Sequence, residues 1–158
     1  MQIIQGMPVN LKLKNKEQWF CDLCGGVIES DKDGMLEWNS YWKDEVGSEA
    51  DEFRIVHGRW IEGCKSNRSD DNLSDGHLHW FTGPDGLNKL LEMYERYKFE
   101  PVEFNKIIRR IHVDYYEEGS RLVPLAREDG DISIDPYDRG DITQSELLWL
   151  IRKYGRNL

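Results

Sequence analysis

"WFCDLCGGVIESDKDGMLEW", residues 19–38, is the stretch on which the reading of this chain turns. It opens with Cys21-x-x-Cys24, followed by Gly25 and Gly26, and passes through "DKDG" into an aromatic run. A redox Cys-x-x-Cys typically precedes a helix on a βαβ unit. Here the pair is followed by two glycines and "VIES", a strand pattern. Glycines after the second cysteine let backbone amides turn toward the sulfurs, which is the shape of a zinc knuckle. "EQWF" leads into the pair and "VIES" leads out, so the knuckle joins two strands.

Outward from this stretch the first half reads as β. "NLKLK" alternates as a half-buried strand does. "DKDG" is a turn, with Gly34 free to take positive φ. "MLEWNSYW" returns as an aromatic strand, an acidic loop follows near residues 44–52, and "FRIVH" is a short strand. Residues 63–76 are polar and read as irregular, and "HLHWF" as a short strand or a helical turn. The second half reads as α. Leu87, Leu90, Leu91, Tyr94 and Tyr97 fall on one stripe, with "GPDG" at its start. Residues 101–112 open on Pro101 and align Phe104, Ile107, Ile108 and Ile111. A third helix is expected from Asp114 to about Ala126, strained by Pro124. A fourth runs from Ser145 to Tyr154, with Thr143 and Glu146 spaced as a capping box. The expected fold is α+β: a zinc-ribbon-like antiparallel β part over residues 1–82, packed on a bundle of about four helices over residues 83–158.

Composition narrows the function. The net charge is −9 and the pI about 4.9, which disfavours wholesale binding to nucleic acid. The acidity is uneven, with 12 acidic and 4 basic side chains in residues 17–64. Six tryptophans, seven tyrosines and five phenylalanines argue against disorder. The longest apolar run, Leu147–Ile151, is far short of a membrane span. The N-terminus lacks a charged segment ahead of an apolar one, so no signal peptide is expected and a cytoplasmic location is. Three cysteines make no complete disulfide framework and point to reduced thiols.

Cys64 supplies a third thiolate about forty residues after the pair. Zinc takes four ligands from thiolates and imidazoles. His57, at the end of "FRIVH" and seven positions before Cys64, is the preferred fourth. His77 is next, with His79 beside it. The competing reading has three ordinary buried thiols and histidines without a ligand role.

"WFCDLCGGVI", "DGMLEW", "FRIVH", "GPDGLNKLL" and "IIRRIHVDYYEEGSRL" resemble segments of a small bacterial or phage family with an N-terminal CxxCGG zinc-ribbon-like knuckle. The resemblance runs over most of residues 19–125. It implies the fold and the metal, with His57 and Cys64 completing the site, and it implies no activity.

Other patterns carry less. "DPYDRGDITQSE", 135–146, matches a calcium loop at Asp135, Gly140, Ile142 and Glu146. Tyr137 and Arg139 stand where calcium needs oxygen ligands, so a turn and a capped helix account for it. Lys106, Arg109 and Arg110 form a possible basic contact patch. No phosphate-cradling Gly-rich loop or nucleophile elbow appears. A four-ligand zinc site is structural. The function expected is a non-enzymatic, zinc-stabilised adaptor or inhibitor that binds a protein through an acidic surface. The alternatives are a nucleic-acid-associated zinc ribbon using Lys12, Lys14, Lys16, Arg109 and Arg110, and a small metal-dependent hydrolase.

Overall fold

The computed structural model describes residues 10–43, 47–64, 72–132 and 142–158. The fold is mixed α and β, with antiparallel strands throughout its two sheets. The chain forms two units, one of Lys16–Val113 and one of Met1–Asn15 with Asp114–Leu158.

In the Lys16–Val113 unit, β1 (Trp19–Phe20) and β2 (Val27–Ile28) make a ribbon, with Trp19 opposite Ile28 and Phe20 opposite Val27. A three-stranded sheet follows, with β3 (Gly34–Lys43) between β4 (Gly47–His57) and β5 (Leu73–His77). The acidic stretch expected as a loop is instead largely strand. Lys43 pairs with Gly47, Tyr41 with Glu49 and Asn39 with Asp51, and residues 44–46 lie outside the described residues. The alternation is hidden by an irregularity between Glu37 and Asn39, opposite which Glu52 adopts φ 53°. Asp51 and Glu52 are consecutively exposed as a result, as an extra residue in a bulge requires. β5 was also expected as irregular. Its sequence, "LSDGH", pairs through the backbone and gives little apolar signal. Leu78–Trp80 is a single 3-10 turn.

Two helices complete this unit, α1 (Gly83–Arg96) and α2 (Pro101–His112). α1 begins earlier than its apolar stripe because Pro84 sits in its first turn, where no donor is needed. α2 has the expected bounds. Leu36, Trp38, Phe53 and Ile55 of the sheet share a core with Leu90, Met93, Phe104, Ile107 and Ile111 of the helices. Each large side chain so buried contributes about 1.5–3 kcal/mol. Phe53 anchors the aromatic part, with ring centroids 4.9 Å from Phe104 and 5.9 Å from Phe99.

The other unit holds α3 (Tyr116–Gly119), a 3-10 turn at Ser120–Leu122, α4 (Val123–Glu128) and α5 (Gln144–Tyr154). The single helix expected over 114–126 is thus in pieces. Pro124 opens α4 rather than straining a longer helix, since a first turn tolerates its missing N–H. "NLKLK" is not a strand: the amides of Lys12 and Leu13 donate to the buried Glu118 carboxylate at 3.1 and 2.7 Å. Asn15 accepts the Tyr115 amide at 2.8 Å, holding a residue at φ 64° just before α3. Leu122, Ala126, Ile132, Leu150 and Ile151 form this unit's own core. Thr143 and Glu146 make the expected capping box at the start of α5. Residues 135–141 of the calcium-loop comparison lie outside the described residues. No helix among the described residues is long and apolar enough to cross a membrane.

Candidate metal centre

The ribbon turn carries the first two thiols. Cys21 N–H donates to Gly26 O at 2.8 Å, and Gly25 N–H donates to Cys21 O at 2.9 Å. Gly25 has φ 75°, a conformation that costs an L side chain energy, so the tight turn depends on it. The turn aims amides at sulfur: Gly26 N–H lies 3.4 Å from Cys24 Sγ. β4 delivers the third group at its last residue. His57 N–H lies 3.4 Å from Cys21 Sγ, and its ring Nδ1 is 3.4 Å from Cys24 Sγ. Cys64, beyond the turns that follow β4, brings its Sγ to 3.7 Å from Cys21 Sγ. The four donor atoms lie within 4.8 Å of one another. This group is close enough to bind a metal.

His57 is oriented for that role. Its Nε2 is 3.0 Å from the Val27 carbonyl oxygen. A carbonyl only accepts, so Nε2 carries the hydrogen, and the neutral form of the ring then presents its Nδ1 lone pair to Cys24 Sγ. The ligand strand and the ribbon are further joined through Asp22. Asp22 and Ile55 exchange bonds of 2.9 Å, N–H of Asp22 to the Ile55 carbonyl and N–H of Ile55 to the Asp22 carboxylate. Arg110 of α2 donates to the same carboxylate at 2.7 Å and to Phe20 O at 3.2 Å. Trp19, wholly buried, donates its indole N–H to Arg110 O at 3.1 Å.

The thiols do not behave alike. Burial pushes Cys21 up, but the amides of Cys24, His57 and Leu23 outweigh it and bring the thiol down to about 7. Burial, then hydrogen bonding to Cys24 and Cys21 and their charge, pushes Cys64 up to about 12. The cluster therefore resists accumulating negative charge unless a cation is present to compensate it.

Cys21, Cys24, His57 and Cys64 meet here, as the spacing anticipated. His77 is elsewhere, its ring 5.2 Å from that of Trp60 and 4.8 Å from that of Trp80. His79 lies 5.3 Å from His77 in the same aromatic cluster. The basic residues do not form one surface patch: Lys106 is exposed, Arg109 half-buried and Arg110 only 6% exposed. Asp22 and Arg110 are the supporting residues that motif reading passes over. One signal was present, since Arg110 follows Ile107 by three positions on α2, on the buried side. Comparison with protein-family models, curated proteins and solved structures returns no match to this chain.

Proposed function

We propose that this chain is a zinc-stabilised, non-catalytic module that binds another protein. The observation that carries the reading is the filled donor set, three thiols and an imidazole within 4.8 Å. A tetrahedral zinc ion with bonds of about 2.3 Å to sulfur and about 2.05 Å to nitrogen would set sulfurs about 3.8 Å apart and sulfur about 3.5 Å from nitrogen. Two of the spacings, 3.7 and 3.4 Å, match those edges, and the whole set spans no more than 4.8 Å, which a bound ion would draw together. Four protein ligands leave no position for an activated water, which a zinc hydrolase requires. The ion's work is to hold the β1–β2 ribbon against the end of β4, adding folding energy. Binding of a protein is favoured by exposed tryptophans, Trp42 at 73%, Trp60 at 50% and Trp80 at 46%, since such residues dominate protein interfaces. Nucleic acid is the weaker reading, on net charge and on the burial of Arg110. X-ray absorption on protein purified without added metal tests the centre: one zinc with three sulfur and one nitrogen scatterers is expected. An oxygen scatterer, or activity against ester or phosphoester substrates, would favour the hydrolase. Tight binding of the chain to DNA or RNA oligonucleotides at physiological salt would favour nucleic acid.

A further inference from the structure

The two edges of the three-stranded sheet differ. The outer edge of β4 is occupied along much of its length. Asp22 takes both main-chain groups of Ile55. Glu103 accepts the Phe53 amide at 3.0 Å. Lys98 bonds Ala50 N–H at 2.9 Å and Ser48 O at 3.0 Å. β5, the other edge, has no such cover among the described residues. Its register fixes which groups face outward. Ser40 N–H donates to Asn72 O, and Trp38 and Leu36 pair with Ser74 and Gly76. Antiparallel ladders alternate, so residues 72, 74 and 76 bond β3. The N–H and C=O groups of Leu73, Asp75 and His77 then point away from the sheet.

A cleft of about 260 Å³ opens beside this edge, between β5 and α1. Trp38, Phe81 and Met93, all buried, supply its apolar wall. Gly76 lets the Phe81 ring pack directly on the strand beside the cleft: a Cβ there would meet that ring at 2.9 Å. Lys89, Glu92 and Arg96 of α1 stand at the mouth. Lys89 Nζ lies 4.7 Å from the Trp80 ring centre, and among the described residues none of these three makes an ion pair. Asp75 is neutralised by Arg59 at 3.2 Å. On a chain of net charge −9, Lys89 and Arg96 outnumber Glu92 among the described residues lining the cleft once Asp75 is paired with Arg59.

We infer that β5 and this cleft form a docking groove for an extended peptide segment of a protein partner. The segment adds as a further strand on β5, inserts one large apolar side chain between Trp38 and Met93, and offers an adjacent carboxylate to Lys89 and Arg96. Main-chain bonds to an edge strand give such binding its affinity, and the pocket beside the strand gives it specificity. This rests on the protein-binding reading above and names the surface and the chemistry of the partner.

A phage-displayed library of linear 12-residue peptides, selected against the full zinc-loaded chain, is the probe. Enriched sequences should share a large apolar residue next to Asp or Glu. Amide signals of Leu73, Asp75, His77 and Met93 should move on adding a synthetic copy of the best sequence. Lys89→Glu should weaken that peptide about tenfold. Asp75→Pro, which removes an outward donor and spares the bonds to β3, should weaken it by a similar factor, with Asp75→Ala as its control. Because Asp75→Pro can disturb folding, the peptide is also N-methylated at alternate amides: one alternation should abolish binding and the other leave it within about threefold. Peptides that perturb only residues away from β5 and α1, or that tolerate both methylation patterns, overturn the groove and leave the protein-binding reading intact. Failure to enrich any sequence overturns the groove as well. An oxygen ligand on zinc would overturn the non-catalytic reading without touching the groove.

Discussion

Arg110 reaches from α2 to the residue between the knuckle cysteines: its Nη1 donates to Asp22 Oδ2 at 2.7 Å, and that oxygen also accepts the Ile55 amide at 2.9 Å. A helix, a ribbon and a sheet strand converge on one carboxylate oxygen. Arg110 is 6% exposed and Asp22 23%, so neither charge is well solvated. Removing one partner of such a pair is costly, because the other is left buried and unpaired. Arg110→Met is expected to destabilise the chain by about 3 kcal/mol in urea unfolding. Arg110→Lys should recover little, because a single ammonium cannot reach both Asp22 and Phe20 O as the guanidinium fork does. A change within about 0.5 kcal/mol, usual for a surface substitution, would show that the pair has no structural weight.

The metal centre should be coupled to the folding of its own unit. Cys64→Ser removes the last of the four proposed ligands in chain order, and should release the proposed zinc. Structural zinc contributes on the order of 10 kcal/mol in small modules, so hydrogen exchange across Trp19–His57 should accelerate strongly. The amides of α5, which belong to a different core, should keep their protection. Unchanged exchange in β1, β2 and β4 would contradict a structural role for the site.

The identity of the imidazole ligand can be tested by competition. His57 Nδ1 lies 3.4 Å from Cys24 Sγ, whereas His77 is engaged with Trp60 and Trp80. Under a chelator, His57→Ala should lose metal at least tenfold faster than the parent chain, and His77→Ala should match the parent. The reverse order would move the site.

The second unit should carry an acid-sensitive contact. Asp131 accepts hydrogen bonds from Lys153 and from the Tyr154 hydroxyl, and the Lys153 bond first, then that of Tyr154, holds its carboxyl below the usual value. A lowered folded value means the ionised form is favoured by folding. Its stabilisation is complete above the ordinary Asp value near 4, and is lost as pH falls toward the folded one. The difference in thermal midpoint between the parent and Asp131→Asn should therefore shrink as pH drops from 6 to 2.5. A difference independent of pH would mean that the carboxylate charge is not what matters there.

Gly25 gives a backbone test. No atom lies within 4 Å of a Cβ built there, so only its φ of 75° opposes a side chain. Gly25→Ala should cost about 1–2 kcal/mol, and Gly25→Asn less, since Asn tolerates that region better. Equal stability of all three would show that the knuckle turn relaxes.

The parts legible in the sequence were those written by strong local rules. α2 was readable from Pro101 and the spacing of Phe104, Ile107 and Ile111, and the start of α5 from Thr143 and Glu146. The four residues brought together at the cluster were readable because a Cys-x-x-Cys turn and a strand-end histidine restrict geometry. β4 was half missed, because the irregularity at Glu52 breaks the two-residue period where it would have revealed a strand. β5 was missed because "LSDGH" is held by main-chain pairing with β3, which leaves no mark in hydropathy. Lys12 and Leu13 were misread for a related reason: their amides bond a side chain 105 or more positions away. Arg110 was assigned to the surface by charge, although its place on α2 points to the interior.

The bond from His57 Nε2 to the Val27 carbonyl has a consequence for the order of assembly. Val27 belongs to β2, on the same ribbon as the two knuckle cysteines, whereas His57 ends a strand of the larger sheet. Until the ribbon closes on that strand, nothing selects which ring nitrogen carries the hydrogen, and the imidazole spends part of its time with the wrong nitrogen lone pair on offer. Closure removes that ambiguity. An unfinished or misfolded chain therefore holds cysteines without a committed fourth donor, and if the cluster takes the proposed metal, tight capture would report that two distant stretches of polypeptide have already found each other.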